Sequence, residues 1–110
     1  MKRAIFDIEA DGFLETVTKI HCIVIQDFDT GAVFVYRSDD KDKTIQKGLD
    51  KLNTFDVLIG HNILDYDIPV IKKLYPKFMV KNRVEDTLTQ TRLIWSDIKN
   101  TDFTLARKGK

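Results

Sequence analysis

Two β-rich runs stand back to back in the first third of the chain. They are residues 19–27 (Lys-Ile-His-Cys-Ile-Val-Ile-Gln-Asp) and 32–37, separated by a turn at Asp29-Thr30-Gly31. Gly31 accepts the positive φ that a tight hairpin turn demands, so the runs must pair antiparallel. In the second run Val33 and Val35 fall on one face, and Phe34 and Tyr36 on the other. Residues 3–9 are mostly apolar, read as a buried strand ending in acids, and stop at Asp11-Gly12. A first sheet of three antiparallel strands follows.

Downstream the pattern changes. Ile45, Leu49 and Leu52 recur at helical spacing, with Ser38-Asp39-Asp40 as the expected cap. Residues 56–60 (Asp-Val-Leu-Ile-Gly) read as a short buried strand, parallel to the first after this crossover. Ile68, Ile71 and Leu74 predict a helix over 67–74, with Pro69 tolerated in its first turn and Tyr75-Pro76 ending it. Residues 83–86 supply a short fifth strand. A last helix, started by Glu85 or Asp86, carries Leu88, Thr91, Arg92 and Trp95. The order β-β-β-α-β-α-(β)-α describes an α/β protein with a mixed sheet, the strand plan of the ribonuclease-H-like fold.

With 110 residues the chain has length for one core, so residues 1–110 read as a single domain. No apolar run approaches a membrane span, and no signal-peptide apolar region precedes Asp7. One cysteine, Cys22, excludes an internal disulfide or a Cys-based zinc site; it reads as a small core residue in a reducing, cytoplasmic setting. Eighteen basic against 17 acidic residues give a net charge of +1, which selects no class of partner. Two stretches are locally basic: Lys72, Lys73, Lys77, Lys81 and Arg83, and a tail with Lys99, Arg107, Lys108 and Lys110.

The acids are more informative. Asp7 and Glu9 alternate on a strand, so both leave one face. If strands one and four are neighbours, Asp67 joins them, with Asp65 as its rival. Carboxylates converging on a sheet edge repel one another unless cations intervene, and hard Mg²⁺ or Mn²⁺ prefers oxygen donors. Two such ions about 3.5–4 Å apart clamp the attacking and leaving oxygens of a phosphodiester.

The surroundings of these acids carry a resemblance. Ala4-Ile5-Phe6-Asp7-Ile8-Glu9-Ala10-Asp11-Gly12 and Gly60-His61-Asn62-Ile63-Leu64-Asp65-Tyr66-Asp67-Ile68-Pro69 resemble the first two motifs of the DEDD (DnaQ-like) 3′→5′ exonucleases. The likeness is closest to the proofreading domain of family-A DNA polymerases of short-tailed phages, the type that uses host thioredoxin. It extends through residues 15–22, Asp86-Thr87-Leu88 with Arg92-Leu93-Ile94, and Thr101-Asp102, over essentially the whole chain.

The resemblance implies a two-metal exonuclease module of phage DNA replication that removes nucleotides from single-stranded DNA 3′ ends. Asp7 would bridge both metals, Glu9 would hold the water-activating site, and Asp67 would bind or orient the other. The Tyr-Asp pairing favours Asp67 over Asp65. Substrate contacts would come from Ala10 at the end of the first motif, from Phe13, which matches an apolar residue set against the terminal base, from Asn62, which matches a substrate-contacting or loop-bracing Asn, and from His61 beside it. Asp86 matches a helix-capping Asp. His21 reads as a structural strand histidine, and Trp95 and Phe103 as core.

One departure is plain. The family's fourth acid sits in a Tyr-x-x-x-Asp or His-x-x-x-x-Asp motif, and neither follows Asp67. Tyr36 and Asp40 have the spacing but precede the second motif. The chain therefore reads as the N-terminal portion of such a domain, lacking its C-terminal helices. The competing expectation is a nucleic-acid- or polymerase-binding protein that kept the fold without catalysis. Missing helices would leave strand residues of 20–25 and 57–59 short of cover, so self-association or docking of a polymerase chain is expected there.

Overall fold

The computed structural model describes residues 1–88; the predicted last helix beyond Leu88, with Arg92 and Trp95, and the tail with Phe103 lie outside them. Five strands form one sheet in the order β3-β2-β1-β4-β5. They are β1 (Arg3–Ala10), β2 (Ile20–Asp27), β3 (Val33–Arg37), β4 (Val57–Gly60) and β5 (Arg83–Asp86). The first three run antiparallel, while β4 lies parallel to β1 and β5 parallel to β4. The mixed sheet is the one expected. Gly31 takes φ 79° at the β2–β3 turn, the conformation for which glycine is suited.

Two helices, α1 (Ile45–Leu52) and α2 (Ile68–Leu74), cover a single face of the sheet. Ile45, Leu49 and Leu52 of α1 and Ile68, Val70 and Ile71 of α2 join the inward strand residues in one buried cluster. β1 is not buried on both faces, as its apolar run suggested. Ala4, Phe6 and Ile8 point into the core, while Ile5, Asp7 and Glu9 point away. Phe34 and Tyr36 pack against the core and Val33 is exposed, as the alternation predicts.

Three local expectations are corrected. Thr44, not Ser38-Asp39-Asp40, caps α1: its hydroxyl accepts from Lys47 N (3.3 Å). Asp40 stands too early and is spent on a turn, accepting from Asp42 N and Lys43 N (2.8 Å each). Cys22 is half-buried on the outward face rather than in the core, because it shares the pleat of Val24 and not of Ile23. The exposed patch on that face comprises Ile5, Val24 and Val33 rather than whole strands; Ile20, Ile23, Ile25 and Leu58 are fully enclosed.

Candidate functional site

The site is built where β1 outruns β4. Their parallel ladder pairs Arg3 with Val57, Ala4 with Leu58 and Ile5 with Ile59. Beyond Ile5, β1 has lost this neighbour. The chain leaving β4 turns at Asn62, which takes a left-handed conformation (φ 61°), and winds through a wide π-type turn, Ile63–Asp67, before α2 starts. A helix directly from 67 was expected; the extra turn changes where Asp67 sits.

That turn seats Asp67 against β1. Its Oδ2 accepts the backbone N–H of Ile8 (3.2 Å), the residue between Asp7 and Glu9. The side chain is 3% exposed. Burial, with the Asp7 charge adding to it, pushes the Asp67 carboxyl up to about 7, although the Ile8 hydrogen bond favours the ionised form. Asp65, the rival, is exposed on the same turn.

Gly60 is required where β4 ends. A Cβ there would stand 2.3 Å from Ile63 Cγ2 and 3.0 Å from the Phe6 carbonyl oxygen. The turn is then fastened from β5. Asp86, nearly buried, accepts from Asn62 N (2.9 Å), Leu64 N (3.0 Å) and Leu88 N (2.9 Å). It holds the chain just after β5 through Leu88 N and also braces the Asn62 loop. The loop-bracing role depends on the β4–β5 pairing that sets Asp86 opposite Gly60, a long-range contact with no local signal in the sequence. His61 is exposed, with Nδ1 3.0 Å from Thr87 Oγ1.

The remaining site residues follow β1. The β1–β2 register shifts between Glu9 and Ala10, and the strand then enters the 11–19 loop. Asp11 closes this loop by accepting from Thr18 N (2.8 Å), Lys19 N (3.1 Å) and the Thr18 hydroxyl, which hold its carboxyl down at about 2. Phe13 is 78% exposed at the tip. The Tyr66 hydroxyl donates to the Gly12 carbonyl, and Tyr66 is raised by burial first and then by Asp67, Asp11 and Glu9. His21 is exposed on β2.

Asp7 is thus close enough for its charge to raise Asp67, and Glu9 close enough for its charge to raise Tyr66; Asp7, Glu9 and Asp67 are the carboxylates in question. All are hard oxygen donors suited to a divalent cation. Among the described residues, however, no three His, Cys, Asp or Glu side chains are gathered at the spacing that holds an ion.

A family model described as the RNase H superfamily matches residues 4–102. The chain belongs to the RNase H superfamily. Two curated relatives are the DNA-directed DNA polymerases of Escherichia phage T7 and Enterobacteria phage T3, each 36% identical over 94% of this chain. The resemblance to phage DNA polymerases read from the motifs is borne out. This RNase H superfamily chain spans 16% of the length of either relative. A solved family B DNA polymerase from the archaeon Pyrobaculum calidifontis shares the fold, with a TM-score of 0.63 at 16% identity, over 83% of this chain and 16% of that one. Among the described residues no helix is long and apolar enough to cross a membrane.

Proposed function

We propose that this chain is a metal-dependent 3′→5′ exonuclease module of the proofreading type, trimming single-stranded DNA ends beside a DNA polymerase in phage replication. One observation carries the reading: Asp67 is buried on the Ile8 N–H, between Asp7 and Glu9, with its carboxyl raised to about 7. A buried acid set against a second acid is costly without a partner, and sites that work on phosphodiesters use that arrangement. The similarity to two DNA polymerases points to the same substrate class.

Asp7, Glu9 and Asp67 would hold Mg²⁺ or Mn²⁺. Such ions, when bound, lower the pKa of a water and neutralise charge growing on the leaving 3′-oxygen. The chain's own part is positioning. Ile8 N–H fixes the Asp67 carboxylate, and Asp86 fixes the loop carrying His61 and Asn62. Ala10 ends β1 and leads into the loop that presents Phe13, whose exposed ring offers a stacking surface for a terminal base.

A second reading, DNA or polymerase binding without cleavage, is favoured by the lack of a gathered three-acid cluster among the described residues. The same assay separates the two. Single-stranded DNA labelled at its 5′ end, incubated with Mg²⁺ or Mn²⁺, is expected to shorten from the 3′ end, and Asp7→Ala to lower the rate at least about 100-fold. Retention without shortening establishes the binding reading. Cleavage unchanged by Asp7→Ala refutes the proposed site.

A further inference from the structure

The 11–19 loop is held far more firmly than an exposed loop requires. Every carbonyl from Gly12 to Glu15 accepts a hydrogen bond. Gly12 takes the Tyr66 hydroxyl, and Phe13 takes Thr16 N (3.0 Å) and Val17 N (2.8 Å). Leu14 and Glu15 take the ammonium of Lys73 (2.8 and 3.1 Å). Lys73 lies in the last turn of α2, on the far side of a separation of 59 residues. It grips the two carbonyls directly after the exposed Phe13.

The loop does not need this grip in order to close. The Asp11 carboxylate already ties its ends at Thr18 and Lys19, and Val17, 2% exposed, anchors its middle in the core. What Lys73 adds falls on the two carbonyls that follow Phe13, in a segment that the Leu14 side chain also ties to the core. An aromatic held in place before its ligand arrives loses less entropy on binding than one on a free loop.

We propose that Lys73 is a positioning residue that pre-sets Phe13 for stacking on the terminal base of a single-stranded DNA end. The inference rests on the exonuclease reading for its ligand and extends it to a residue remote from the carboxylates. Lys73 acts through the Leu14 and Glu15 carbonyls and touches no substrate.

The test uses an oligonucleotide with 2-aminopurine as its 3′-terminal base, titrated with the full chain in chelator. Stacking quenches the probe. Phe13→Ala is expected to weaken binding about fivefold or more and to abolish the quench. Lys73→Met should weaken binding about threefold and reduce the quench, with thermal melting close to the parent's. Lys73→Arg should restore both. In the double variant the Lys73→Met loss should vanish, because its effect passes through Phe13; a general structural effect would instead multiply with it. Binding that depends on Phe13 but is indifferent to Lys73, or losses that multiply, overturn the clamp alone. No quench in the parent, with Phe13→Ala silent, overturns the DNA-end reading and the clamp with it.

Discussion

On one face of the sheet Ala4, Phe6, Ile8, Ile23 and Ile25 lie under α1 and α2, almost without solvent. On the other, the interleaved Ile5, Asp7, Glu9, Cys22 and Val24 meet water in part or in full. The same strands make both faces, one residue out of step. The covered face can be optimised for packing because no charge has to live there. The open face can carry Asp7 and Glu9 because nothing apolar among the described residues lies over them. Asp67 is the exception that joins the two regions, a buried acid seated on the Ile8 N–H where β4 stops short of β1 and close enough to Asp7 for that charge to raise its carboxyl.

The contrast is broken most sharply by paired substitutions on adjacent residues. Ile23→Ala, at 0% exposure, is expected to cost about 2–5 kcal/mol in urea unfolding. Val24→Ala, at 37%, should cost less than about 1 kcal/mol. Equal losses would mean that the outward face is also covered. Gly60→Ala comes next. Its Cβ would collide with Ile63 and the Phe6 carbonyl, so a cost of about 1–3 kcal/mol is expected, together with a disturbed Asp67.

Asp67 predicts a pH-dependent effect. Its carboxyl is raised in the fold from the ordinary 3.8 to about 7, so the folded state holds a proton that the unfolded chain releases. Without divalent cations, stability should therefore be greatest at the acid end of that window, fall as pH rises from about 4 to about 7, and level off above. By linkage the full shift corresponds to a drop of roughly 4 kcal/mol across the window. Asp67→Asn should flatten it while still accepting from Ile8. Urea titrations at stepped pH, compared between parent and variant, check the sign; a stability that rises across the window contradicts it.

Much of this was legible in the residues. The hairpin at Gly31, the helical spacing of Ile45, Leu49 and Leu52, and the Asp7–Glu9 alternation are local patterns, and the structure carries each. What was not legible depends on contacts distant in sequence. Thr44 wins the cap because Asp40 is taken by its own turn, a competition that composition does not decide. The seat of Asp67 arises from a difference in strand length, and Lys73 looks like any solvated lysine until its partners 58 and 59 residues away are known. The side of β2 that Cys22 takes depends on its phase relative to Ile23 and Ile25.

In the proposed exonuclease module, Asp7 and Glu9 of the open face and the buried Asp67 would together hold a divalent cation. Isothermal titration of the chain with Mn²⁺ at pH 8 tests it most directly. Saturable uptake is predicted for the parent, with loss of at least about tenfold in affinity in both Asp7→Asn and Asp67→Asn, since each removes a charged oxygen donor. Uptake that is absent in the parent, or unchanged in both variants, would contradict the account.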